Sequence, residues 1–228
     1  MTTKTTLAAG RSAAALTCAG LLLAAGGLMH PQADAEAGYE QALAGMFDAS
    51  AWTASHGLTL AGFLLLSVAL AGLLRDVGHN WTAPARTAGW VVVAAGVLTA
   101  VESVPHLLAS SEADALLRGD ATPLTDVHAV LQIVSTPAIG LGITALAWTT
   151  APDRTLGNGR IAAAVATVGG LAFALAGPLM ALTEDPAFSP LFAGAAPVAV
   201  WLILAGARTA RGLRGDTTAR DLETLAAR

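Results

Sequence analysis

The sequence predicts an all-α fold, a polytopic transmembrane helical bundle of six helices with both termini cytoplasmic, and three observations carry that expectation. The 228 residues have a mean hydropathy of +0.62 and are 54% hydrophobic but only 12% charged, against about 25% charged in a soluble domain. Uncharged stretches long enough for the roughly 20 residues that cross a hydrocarbon core recur along the chain. No sustained alternation of apolar and polar residues is present, and lipid admits only helices or a closed barrel.

Lys, Arg, Asp and Glu are absent from 12–33, 49–74, 127–152, 161–183 and 186–207. A further stretch, 87–111, is interrupted only by Glu102 and is apolar enough to insert despite it. The predicted spans are 12–30, 54–74, 87–109, 127–150, 160–182 and 187–208, forming one domain over 1–211 with a short cytoplasmic tail at 212–228. The first span has a competing reading as a secretory signal cleaved at Ala33-Asp34-Ala35. The long apolar run from Ser12 to Met29, ending in His30-Pro31, favours a retained helix.

Basic residues set the orientation, because Lys and Arg stay on the cytoplasmic side. With the N-terminus inside, Lys4, Arg11, Arg75, Arg86, Arg154, Arg160, Arg208 and the arginines of the tail are cytoplasmic, and Arg118 alone lies outside. The external segments are acidic, from Asp34 and Glu36 to Glu184 and Asp185. Trp81, Trp90, Trp148 and Trp52 fall near the ends of spans, as interfacial anchors do, whereas Trp201 fits that belt poorly.

A formal net charge of −4 without a basic run excludes nucleic acid as a partner. The single Cys18 excludes a disulfide within the chain and a thiolate metal cage. Eleven Arg against one Lys, with abundant Ala and Gly, suggests a GC-rich bacterial genome and hence the bacterial cytoplasmic membrane. The expected partners are the lipid bilayer and either further copies of the chain or the other subunits of a membrane complex.

Ionisable residues in spans are costly and mark function. By this topology His30, His56, His106 and His128 lie at the outer ends of the first four spans, while His79 alone is on the inner side. Glu102 precedes His106 by four residues, which puts both on one helical face. Asp126, two residues before His128, is placed to cap its helix or to orient the imidazole. Histidines paired with a carboxylate in a bundle core suit haem or a transition metal; histidine also sits comfortably at a membrane interface, so anchoring stands as the alternative. A weak repeat of three hairpins is visible, His30 and His56 in the first, His106 and His128 in the second, and Met180 and Pro190 in the third.

Gly27-Leu28-Met29-His30-Pro31, then Ala51-Trp52-Thr53-Ala54-Ser55-His56 leading into 58–74, resembles a pattern in small, uncharacterised multi-pass membrane proteins of bacteria. The resemblance covers the first two helices and implies about six helices without an activity or a site. The inner histidines that cytochrome b561-like proteins need for a second haem are missing, as is the paired histidine spacing of alkaline-ceramidase-like hydrolases.

The leading expectation is an outward-facing site in which His30, His56, His106 and His128 bind haem b or a transition metal, with a redox role and with Glu102 handling a proton as the catalytic group. A metal would take His56, His106, His128 and Glu102. The alternatives are a small permease or accessory membrane subunit, in which the same residues relay protons or cations or act as anchors, and a membrane-embedded zinc hydrolase with Glu102 as general base.

Overall fold

The computed structural model describes residues 3–34 and 36–226, with side chains over 5–34 and 36–213. Its α-helices are α1 (Thr3–Met29), α2 (Tyr39–Phe47), α3 (Trp52–Asp76), α4 (Ala83–Leu108), α5 (Ala113–Arg118), α6 (Pro123–Thr150), α7 (Arg160–Thr183) and α8 (Ala195–Ala226), and no strand occurs among the described residues. Six apolar segments are long enough to span a bilayer: Thr5–Met29, Trp52–Asp76, Ala83–Arg118, Pro123–Thr150, Arg160–Thr183 and Pro186–Leu213. Each contains or closely overlaps one expected span. The last helix continues unbroken to Ala226, so the described part of the tail has a helical backbone.

Local chemistry explains where these helices start and stop. Thr82 caps α4 by accepting from the Ala85 N–H at 3.4 Å, and Pro84 and Pro123 occupy first-turn positions of α4 and α6, where a missing N–H costs nothing. At the other end of α5, Gly119 adopts a φ of 70° and the Asp120 N–H reaches back to the Ala115 carbonyl, a turn that a side chain would strain. Pro105 and Pro137 lie inside α4 and α6 without ending them; in both, helix resumes on the far side of the proline.

Neighbours in sequence are neighbours in space, and the last span returns to the first. The six spans run α1, α3, α4, α6, α7 and α8 around a ring that the α1–α8 contact closes. Helices approach closely where side chains are smallest: a Cβ on Gly170 would lie 2.6 Å from the Gly140 carbonyl oxygen, and one on Gly20 would lie 2.8 Å from that of Ala199. α1 is a wall of this ring, with Ala13, Leu16, Ala19 and Leu23 buried in the main core. Of the signal-cleavage tripeptide, Ala35 lies outside the described residues.

At one end the connections form a cover. α2, the 3₁₀ turn Ala109–Glu112 and α5 pack together through Ala44, Met46, Phe47, Ala109, Ala113 and Leu116, and this small core includes Trp52. The opposite end carries the loops between α3 and α4 and between α6 and α7.

Candidate metal centre

The antiparallel run of the spans places His30 just beyond the end of α1, His56 near the start of α3, His106 near the end of α4 and His128 near the start of α6. All four therefore occupy the covered end of the bundle. Because α1, α3, α4 and α6 are successive around the ring, the imidazoles meet in chain order. Ring centroids are 4.9 Å apart between His30 and His56, 4.4 Å between His56 and His106, and 3.6 Å between His106 and His128, the last pair stacked.

Backbone contacts set this register. Gly26 lets α1 approach α3 so closely that a Cβ would lie 2.8 Å from the Ser55 carbonyl oxygen, and the Ser55 hydroxyl donates to the Gly26 carbonyl at 2.9 Å. One turn beyond Gly26 is His30, and one residue beyond Ser55 is His56. Across the next interface, the Trp52 indole N–H donates to the Leu107 carbonyl at 3.2 Å, one of the carbonyls that the end of α4 leaves without an intrahelical partner. Trp52 thus ties α3 to α4 while its ring lies 3.8 Å from that of His56 and 5.0 Å from that of His106.

The start of α6 is held by a residue that the sequence did not single out. Glu112 accepts from the Leu124 N–H at 2.9 Å, the Thr125 N–H at 2.9 Å and the Thr125 hydroxyl at 2.8 Å. Its carboxylate thus takes orphan donors of the helix N-terminus and complements the dipole there. Asp126, expected as cap or orienter, is exposed on α6; the capping work belongs to Glu112 instead.

Hydrogen bonds also define which ring nitrogens are free. His56 Nδ1 donates to the Trp52 carbonyl at 2.8 Å and His30 Nδ1 donates to the Pro31 carbonyl at 2.7 Å. In a neutral ring that leaves Nε2 with a bare lone pair. His30 lies beyond the span, and burial pushes its imidazole below its ordinary pKa, opposed in part by the Pro31 carbonyl. Nε2 of His56 is buried and has no hydrogen-bond partner among the described residues.

Glu102 is the one carboxylate in this group, only 5% exposed. Its Oε1 lies 2.5 Å from His128 Nδ1 and 3.8 Å from His106 Nδ1. The contact with His128 lacks hydrogen-bond alignment, and that nitrogen is otherwise without a partner. A buried carboxylate needs a compensating charge, and only imidazoles face this one among the described salt-bridge partners. One donor atom each from Glu102, His106 and His128 falls within 4.8 Å of the other two. Donors about 2.1 Å from a tetrahedral ion lie about 3.4 Å apart, so the two measured separations from Glu102 bracket what a single ion requires.

The structure thus brings together all five residues singled out in the sequence, with Glu102, His106 and His128 converging and His56 and His30 continuing the row. His79 is exposed at the opposite end. Trp52, expected as an interfacial anchor, is only 1% exposed and belongs to the site. A haem held by an axial pair needs its plate between two imidazoles. Here successive rings already touch, so the donor set fits a bare ion and not a macrocycle. No family model, curated protein or solved structure matches the chain.

Proposed function

We propose that this multi-pass protein of the bacterial cytoplasmic membrane binds one divalent transition-metal ion on Glu102, His106 and His128. The observation that carries the reading is the convergence of those three donors, one of them a buried carboxylate whose only described ionic partners are imidazoles. Imidazole with carboxylate suits zinc, iron, nickel or copper, and two histidines with one carboxylate leave a coordination position open for water or substrate. The His56 and Trp52 rings pack against His106, beside these donors. Lewis-acid or redox chemistry at the open position is the activity this arrangement supports.

The test is metal analysis of protein extracted in mild detergent, followed by chelation and titration with zinc and iron(II). About one ion per chain is expected for the native protein, with affinity reduced about a hundredfold or more in His106→Ala, His128→Ala and Glu102→Gln. Thermal unfolding of the ion-free variants shows whether each still folds. Absence of stoichiometric metal before chelation together with no saturable binding after it overturns the proposal, and so does a Soret band from the same sample. A second reading, a proton relay, is favoured by the unbroken ring-to-ring contact from His30 to His128; a folded protein that binds no metal would leave that reading standing.

A further inference from the structure

At the end of the bundle opposite the histidines, a half-open groove of about 600 Å³ lies between the start of α7 and the middle of α8. Its upper walls are apolar and repeat at helical spacing, with Ile161 and Val165 on α7 and Val200 and Leu204 on α8. Ile161 is 85% exposed and Val200 49%, as side chains in contact with lipid would be. Three arginines also line it: Arg154 in the loop, Arg160 in the first turn of α7 and Arg208 one turn beyond Leu204.

These charges are placed, and no carboxylate among the described residues neutralises them. Asn158 is only 2% exposed; its side-chain amide donates to the Trp201 carbonyl at 3.3 Å, and its oxygen accepts from Arg208 at 3.0 Å. Arg208 is thereby fixed in the groove. Gly157 adopts a φ of 69° and Arg154 one of 50°, so the loop turns sharply there and brings Arg154 to the same groove. No carboxylate pairs with Arg154, Arg160 or Arg208 among the described residues. Trp201 lines the groove, and its buried indole N–H has no acceptor among the described residues.

We infer that this groove binds an anionic diacyl phospholipid, its phosphodiester held by Arg154, Arg160 and Arg208 and an acyl chain laid along Ile161, Val165, Val200 and Leu204. Charge complementarity selects the headgroup. The apolar walls select a lipid over a free anion, because phosphate alone would leave the wall facing bilayer as before. Arginine suits the role through its planar fork of donors, and basic pockets between spanning helices are a recurrent means of holding anionic lipids.

The experiment compares thermal unfolding of the full chain in nanodiscs of phosphatidylglycerol and of phosphatidylcholine, with native mass spectrometry of the detergent-extracted protein. The native protein is expected to unfold at higher temperature in phosphatidylglycerol and to retain an anionic lipid in the spectrometer. Each arginine removed, in Arg154→Gln and Arg160→Gln, should weaken lipid retention about fivefold, and the double variant should lose the difference between the two lipids. Asn158 and Arg208 stay unchanged in these variants, which keeps the packing beneath the groove intact. Equal stability in both lipids, a difference that survives in the double variant, or the same stabilisation by inorganic phosphate in detergent overturns the proposal.

Discussion

Glu112 shows how a residue outside the donor group can set its geometry. It reaches twelve and thirteen residues ahead to hold the first turn of α6, and His128 follows within the next turn. Replacing it by Ala strips a charged acceptor from two backbone N–H groups and a hydroxyl in a buried place, a loss of about 2–3 kcal/mol. Glu112→Gln keeps one acceptor oxygen and should cost less. Both variants should also bind metal more weakly than the native protein, in the same order, when unfolding and metal titration are measured side by side. Unchanged metal affinity in Glu112→Ala would separate the cap from the site. The role was invisible in the sequence because its partners are backbone groups, brought near by a loop. Glu102 and His106 were legible because four residues along a helix is a fixed distance. Trp52 was misread for a related reason: a tryptophan at a span boundary looks the same whether it faces headgroups or, as here, packs against two imidazoles.

For the elements, hydropathy suffices to find the spans, but it does not tell which helices touch. The α6–α7 contact depends on the near-zero width of Gly140 and Gly170, each of which faces the other's carbonyl oxygen where a Cβ would otherwise stand. A leucine at Gly170 would have to displace the Gly140 carbonyl and the Thr144 hydroxyl, and should destabilise the bundle by several kcal/mol, at or beyond the about 1–3 kcal/mol usual for overpacking. Gly57 on α3 is the control, since nothing lies within 4 Å of a Cβ built there. Gly57→Ala should be neutral or stabilise by up to about 1 kcal/mol, as Ala replaces Gly in a helix. Thermal unfolding in detergent reads both, and equal effects would show that α6 and α7 do not pack through these glycines. The sequence shows both glycines equally; only the fold distinguishes a glycine needed for contact from one that faces open space.

Across the whole molecule, the ring has two chemically different ends. Four clustered imidazoles and the buried Glu102 and Glu112 occupy one, and three arginines without a carboxylate partner among the described residues occupy the other. Six candidate spans put both ends of the described chain at the arginine end, and retention of basic residues in the cytoplasm predicts that this end faces inside. The prediction is specific to side: in a Cys18→Ala background, a cysteine at Ser111, exposed beside α5, should react with a membrane-impermeant thiol reagent in intact cells. A cysteine at Asp153, exposed in the α6–α7 loop, should react only after the membrane is opened. The reverse pattern would turn the proposed metal centre toward the cytosol and the groove toward the outer leaflet. Both proposals would stand in that case, but the supply of ions and lipids would change. A centre on the outside draws on ions that reach the outer surface, and a basic groove on the inside meets the leaflet whose negative surface potential attracts it. Sidedness therefore decides which ions and which lipids the two ends encounter, and the labelling experiment bears on both sites at once.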